Sequence, residues 1–180
     1  ATTVLADKTT VWIGTFEGGL YRYDRKAASI SRVLYDPNSS DGLHSNAITS
    51  LEKAGSEEII VGTYGGGLSI VEPSGRVART FRSTEGSNIS DRVFALLNDK
   101  NRGILVANEN GIAKLSSDLS DYRNTSFATL ALGDDSNLTN IGTIEIQHGQ
   151  DNSLWIGTLR YGLIKAERTT EGEITSVINK

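Results

Sequence analysis

The chain has 180 residues, a net charge of −4, 19 glycines, two prolines and no cysteine. That length supports a real core in one domain, while the missing cysteines exclude disulfides, thiolate metal sites and cysteine nucleophiles. With no block of like charge there is no basic stripe for nucleic acid, and no apolar run approaches the roughly 20 residues needed to span a bilayer.

In chain order, the sequence is four passes through one unit. Each begins with a strand signal: TTVLAD from Thr2, AITSLEK from Ala47, RVFALLND from Arg92 and GTIEIQH from Gly142. A polar turn follows, then an apolar strand: VWIGT from Val11, IIVGT from Ile59, ILVAN from Ile104 and LWIGT from Leu154. A third strand starts at Leu20, Leu68, Ile112 and Leu163, each just after a glycine. The fourth is shorter and more polar: SRVLYD from Ser31, ARTFRS from Ala78, SFATLAL from Ser126 and EITSVIN from Glu173. No helical period is sustained, so helix content is expected near zero. The chain opens directly on a strand signal and is expected to be a piece of a longer protein.

Gly14, Gly62, Ala107 and Gly157 hold the same place in the four passes, at spacings of 48, 45 and 50 residues. A period of about 40 to 50 residues made only of strands predicts β-propeller blades. The expected fold is all-β, one propeller segment of four blades with four antiparallel strands each, at about 1–42, 43–88, 89–137 and 138–180. The second strands are apolar on successive residues, so both faces must be covered by neighbouring blades. Trp12 and Trp155 are therefore expected between blades. The glycine after each triplet leaves room for the next blade to approach.

The repeat resembles the two-component-regulator propeller family. The fourth unit carries the resemblance best, with Leu138 through Ile144 and Ile146, then Asp151-Asn152-Ser153-Leu154-Trp155-Ile156-Gly157-Thr158 and Gly162-Leu163. The first two units keep Ile-Gly-Thr or Val-Gly-Thr and the Gly-Leu, and DPNSSDGLHSNAITSL from Asp36 is similar to the family's long inter-blade linker. The third unit departs from it at Val106-Ala107-Asn108. WD repeats would need a recurring Gly-His and Trp-Asp. Kelch units carry a Gly-Gly at the end of the second strand, whereas Gly18-Gly19 and Gly65-Gly66 fall in the following turn. The resemblance implies a periplasmic or otherwise extracytoplasmic sensor propeller, standing before a membrane span and a histidine-kinase or diguanylate-cyclase output.

Alternating strand direction puts the turn between strands two and three on the same face as the linkers between blades. That face is the candidate ligand-binding surface: Phe16, Glu17, Tyr64, Asn108, Glu109, Arg160 and Tyr161 from the turns, His44, Asn46, Asp91, Arg92 and Asn140 from the linkers. Aromatics beside a few polar groups are what a recognition surface uses. The expected partner is a small molecule or an oligosaccharide, bound without covalent chemistry and without metal or cofactor. No nucleic acid or membrane contact is expected of this segment. A structural or protein-interaction platform without a small-molecule ligand is the alternative.

Enzymatic signals are missing. Gly65-Gly66-Gly67 leads into a strand, not a helix whose N-terminal amides hold a phosphate. DPNSSDG has its glycine one place late for a calcium loop, with Ala47 where a bidentate Glu belongs. His44 and His148 fall at opposite ends of their blades, and no nucleophile elbow occurs. The end blades are expected to leave apolar faces, covered by further blades or by symmetric pairing of a second copy.

Overall fold

The computed structural model describes residues 1–39, 42–54, 57–83, 89–115, 127–132 and 141–179. The first sheet holds β1 (Thr3–Ala6), β2 (Thr10–Gly14), β3 (Leu20–Asp24) and β4 (Ser29–Val33). The second holds β5 (Ile48–Ala54), β6 (Glu58–Thr63), β7 (Leu68–Val71) and β8 (Val77–Phe81). β9 (Val93–Asn98), β10 (Ile104–Asn108), β11 (Gly111–Leu115) and β12 (Phe127–Thr129) form the third. The fourth holds β13 (Thr143–His148), β14 (Leu154–Thr158), β15 (Leu163–Arg168) and β16 (Ile174–Asn179). All four are antiparallel sheets in simple chain order, as expected of blades. No α-helix occurs among the described residues, which include a 3-10 turn at Lys100–Arg102.

First strands pack side by side, β1 on β5, β5 on β9 and β9 on β13. Among the named strands, no packing of like extent joins the fourth blade to the first. Three apolar cores fill the three joints. Trp12, Leu20, Ile48, Ile59 and Val61 fill the first, and Ile60, Ile70, Phe81, Val93, Ile104 and Val106 the second. Leu105, Ala107, Ile146, Leu154 and Ile156 are in the third.

One rule of register governs all three. Two places before the anchor, the second-strand side chain faces the following blade: Trp12, Ile60 and Leu105. One and three places before it, side chains face the preceding blade: Ile59 with Val61, Ile104 with Val106, Leu154 with Ile156. β10 is therefore buried at every residue and β6 at all but its first, whereas β2 and β14 alternate between buried and half-buried. Trp12 is buried as expected, at 3% exposure. Trp155 takes the place that faces a following blade in the other units, and within these residues its indole is half-buried.

The anchor glycines obey the same logic. A Cβ on Gly14 would stand 2.6 Å from Ile48 Cγ2 of the next blade and equally close to Thr3 Cγ2 of its own, and one on Gly62 would stand 2.7 Å from Val93 Cγ1 of the next blade and closer still to Ser50 Oγ of its own. On Gly157 the nearest atom is 3.5 Å away and belongs to its own blade. One strand departs from expectation. β4 runs two residues earlier than SRVLYD suggests, because Tyr35 leaves the sheet, bridges to Leu43 and donates its amide to Asn46 Oδ1 at 2.8 Å.

An ionic clamp closes the third joint at one end. Asp99, 2% exposed, receives Arg168 Nη1 of the fourth blade at 2.8 Å and Arg102 Nη2 of its own turn at 3.0 Å. Arg102 also donates to Asn152 Oδ1 and to the Thr170 carbonyl, both at 2.9 Å. Burial alone would raise the Asp99 carboxyl. The bonds from Arg102 and Arg168 outweigh it and hold the group below the usual carboxylate range.

Two predictions follow from the joints. Gly62→Ala is expected to destabilise by about 1 to 3 kcal/mol through overpacking. Gly157→Ala should stay within about 0.5 kcal/mol; chemical denaturation of the two variants compares them. For Asp99, a lowered folded pKa means its stabilisation is complete above the ordinary carboxylate value near 3.9 and is lost as pH falls through the lowered one. Asp99→Ala should cost about 3 to 5 kcal/mol at neutral pH by stranding the buried Arg168. Its stability should also fall less steeply than that of the parent below about pH 4, as a denaturation series across acid pH would record.

Candidate functional site

The loop face is built by one turn chemistry in three of the four blades. Thr15, Thr63 and Thr158 end the second strands, and each hydroxyl donates across its turn, to the carbonyls of Gly19 at 2.9 Å, Gly67 at 2.9 Å and Gly162 at 3.0 Å. Those glycines close the turn in the left-handed region, at φ of 75°, 72° and 69°. In the third blade Asn108 takes over, its Oδ1 accepting the Asn110 amide at 2.9 Å. Asn108 is buried, at 1% exposure, and its side chain is spent inside the turn. It is not part of the exposed surface.

Turns and linkers share the face and bond to each other. Tyr64 N donates to the Ala47 carbonyl at 2.8 Å, Gly65 N to Asp91 at 2.8 Å, Gly19 N to Asn46 at 3.1 Å and Leu159 N to Gly142 at 2.8 Å. With the turn fixed from both sides, the residue after each Thr or Asn is lifted into solvent. These are Phe16, Tyr64, Glu109 and Leu159, all exposed.

Three of the four join a ladder across blades. The Phe16 and Tyr64 rings lie 6.2 Å apart between centroids, and Tyr64 and Phe94 6.1 Å, both tilted pairs within stacking range. Arg92 sits over Tyr64 with its guanidinium carbon 5.2 Å from the ring centre. Its Nη1 donates to Glu109 Oε1 at 2.8 Å, and Ser90 Oγ donates to Glu109 Oε2 at 3.3 Å. Aromatic and charged groups from three blades thus form one continuous strip.

Other expected residues stand apart from it. Asp91 is held by Arg82 Nη2 at 2.8 Å and the Ser83 amide at 3.0 Å. Burial raises its carboxyl, and the Arg82 and Ser83 bonds lower it further than burial lifts it. Asn46 accepts the Tyr35 amide and serves the linker. His44 is half-buried, and its Nδ1 is buried without a hydrogen-bond partner. Glu17, Arg160 and Tyr161 are exposed on the turns, while Asn140 lies outside the described residues.

Sequence reasoning missed Phe94. Pairing of β9 with β10 shifts between Ala107 and Asn108, and the same shift recurs where β5 and β13 begin. The bulge drops Phe94 from the ladder of partners and turns it to the loop face, as bulges do. No run of alternating residues marks such a shift.

It also missed a cleft on the opposite face, between the first two blades. The cleft encloses about 340 Å³, with Trp12 at its floor and Asp7, Arg22, Asp24, Lys26 and Glu57 around it. Arg22 lies over Trp12, 5.9 Å from guanidinium carbon to ring centre, and donates Nη2 to Asp24 Oδ2 at 3.1 Å. Arg22 Nε is buried with no partner. The sequence signal was present: Arg22 stands directly across the strand pair from Trp12, a cation set beside an indole. Among the described residues, no group of three or more His, Asp or Glu side chains is placed to hold a metal ion.

No family model and no curated protein matches the sequence. Solved structures do. Over 99% of its length the chain is similar to the β-propeller domain of Cps50 (Swd1) from Myceliophteria thermophila, at a TM-score of 0.65 and 14% identity, covering 55% of that chain. The fold is a β-propeller. The extracellular domain assigned to the one-component system BT4673 of B. thetaiotaomicron gives a TM-score of 0.71 at 18% identity, over 99% of this chain and 24% of that one. The extracellular domain assigned to the hybrid two-component system BT3049 of the same organism gives 0.58 at 20% identity, over 98% and 28%. The propeller therefore spans about a quarter of the length of those two bacterial structures. Extracellular domains of this kind are what the repeat motif resembles.

Tyr64→Ala removes two ring contacts and one cation–π contact at an exposed place. It is expected to lower stability by no more than about 1 kcal/mol. Trp12→Ala, in the joint beneath, should cost about 3 to 5 kcal/mol. Thermal denaturation of both variants gives the comparison.

Proposed function

We propose that this chain is a sensor-type propeller segment of an extracytoplasmic receptor, and that it recognises its ligand without covalent chemistry on the loop face. The observation that carries the reading is the strip Phe16–Tyr64–Arg92–Glu109. Flat rings offer stacking area at low entropic cost, and the Arg–Glu pair offers a donor and an acceptor side by side. Contributions from three blades make the strip sensitive to how the blades sit against each other. A ligand bound across it would favour one such arrangement, and that bias is what a receptor can pass on. The likeness in fold to extracellular domains of bacterial signalling systems supports the receptor setting.

A second reading places the ligand in the cleft opposite. The unpartnered Arg22 Nε favours it, since a buried donor without an acceptor costs about 1 to 3 kcal/mol that a ligand oxygen would recover.

The two are separated by a thermal-shift screen against small molecules and oligosaccharides, repeated on variants. Tyr64→Ala and Arg92→Ala are expected to weaken a stabilising ligand tenfold or more, with Lys26→Ala and Lys100→Ala leaving it unchanged. Loss on Lys26→Ala alone would move the site to the cleft. Equal loss from both faces would defeat the loop-face assignment.

A further inference from the structure

On the face opposite the loops, the first and third joints share one plan and differ in their arginines. In the third, Asp99 stands in the turn after the first strand, and His148 of the next blade brings Nδ1 to 3.9 Å from it. In the first, Asp7 stands in that turn, and Lys53 of the next blade brings Nζ to 4.0 Å. Arg168 lies two places after Ala166, which pairs with Leu154, and Asn152 lies two places before Leu154. In the second blade Val71 pairs with Ile59, so the equivalent places are Pro73 and Glu57.

The third joint closes on a guanidinium. Arg168, its side chain 1% exposed, donates Nη1 to Asp99 Oδ2 and Nε to the Asn152 carbonyl, both at 2.8 Å. Pro73 brings no donor to that place in the first joint. There Asp7 Oδ1 takes the Thr9 amide at 2.7 Å, the Thr10 amide at 2.8 Å and the Thr9 hydroxyl at 2.9 Å, while Oδ2 faces the Lys53 ammonium. Where the arginine would reach lies the cleft of about 340 Å³, with Asp7, Glu57 and Pro73 in its walls. Small-molecule pockets run from about 300 to 1,000 Å³. The rest of its charged lining has the opposite character. Asp24 is spent on Arg22 and on the Lys26 and Ala27 amides. Arg22 Nε is buried over Trp12 without an acceptor, and Lys26 lines the same cleft.

We propose that the cleft binds a small zwitterion with a guanidinium at one end and a carboxylate at the other, of the class of free arginine. This rests on the second of the two readings above, that the cleft is a ligand site, and gives that site its ligand class. The guanidinium takes the place of the Arg168 group, between Asp7 of one blade and Glu57 of the next. Its planar fork meets two acceptors at once, which a compact ammonium does less well. Glu57 offers a carboxylate where Asn152 offers neutral oxygens, and bonds between ions are the stronger. The ligand carboxylate supplies the acceptor for Arg22 Nε, with Lys26 beside it. A simple oxyanion would answer Arg22 and be repelled by the two carboxylates; a simple cation would answer those and leave Arg22 Nε bare. Bound in this way, the ligand closes blades one and two as Arg168 closes blades three and four.

Isothermal titration of the purified chain with L-arginine is the test, with citrulline, agmatine and acetate for comparison. Arginine should bind. Citrulline, which has a neutral ureido group in place of the guanidinium, and agmatine, which lacks the carboxylate, should each bind at least tenfold more weakly. Asp7→Asn and Glu57→Gln, each checked for a native circular dichroism spectrum and cooperative melting, should weaken arginine at least tenfold. Pro73→Arg, which builds the arginine of the third joint into the first, should block it. No binding of arginine, or citrulline binding as tightly, would overturn the proposal. So would an arginine affinity unchanged by Asp7→Asn or by Pro73→Arg. Acetate bound as tightly as arginine, lost on Arg22→Gln and kept on Asp7→Asn, would overturn the guanidinium assignment and leave the cleft a ligand site.

Discussion

A β-sheet with apolar side chains on both faces cannot stand in water by itself, and every feature of this molecule answers to that constraint. The second strand of each blade is the extreme case. β6 and β10 alternate their side chains between two different cores, Ile60 toward one neighbour and Val61 toward the other. Neither core exists until two sheets meet, so a blade is not a unit of stability; a joint is. Anchor glycines set how close the sheets come. Where a following blade is present, its first strand fills the space that a Cβ would need.

The joints differ in what they add to apolar packing. The second buries Phe81, Leu68 and Leu115 fully and adds the Thr49 hydroxyl, which donates across it to the Val93 carbonyl at 2.7 Å. The third adds the Asp99 clamp, in which Arg168 of one blade and Arg102 of another share a single carboxylate. A buried ion of this kind adds little net stability against a hydrophobic substitute, but its loss from one side strands a charge. It also fixes one relative placement of the blades. At the first joint, Arg22 is pinned to Asp24 of its own strand over Trp12 and keeps a free buried nitrogen. That unequal closure leaves a cleft between blades one and two.

The same stacking produces the loop face. A turn fastened by a Thr hydroxyl below and by a linker carbonyl above projects the residue that follows the Thr. Blade by blade that residue is Phe16, Tyr64, Glu109 and Leu159. Their identities vary while the scaffold beneath repeats. That division separates what folds the propeller from what it presents. Asn108 shows the boundary between the two: in sequence it departs from the repeat, yet in the structure it performs the turn-fastening work of threonine and is buried.

The sequence by itself determined the repeat, the strand order and the face on which turns and linkers meet. Each of these follows from spacing along the chain: a period fixes the blades, alternation fixes the strands, and strand direction fixes the face. Trp12 and the glycine notches were legible for the same reason. Only the tertiary structure decided what stands opposite each side chain. Trp155 carries the same local signature as Trp12 and is half-buried, because burial depends on a neighbour that no local pattern encodes. Phe94 reaches Tyr64 through a bulge that shifts register by one residue, and periodicity is blind to a single inserted step. The cleft beside Arg22 and the Asp99 clamp join turns far apart in sequence, 69 residues apart in the case of Asp99 and Arg168. Propensity and pattern describe a strand; which strands meet, and at what register, is settled by the packing of whole sheets.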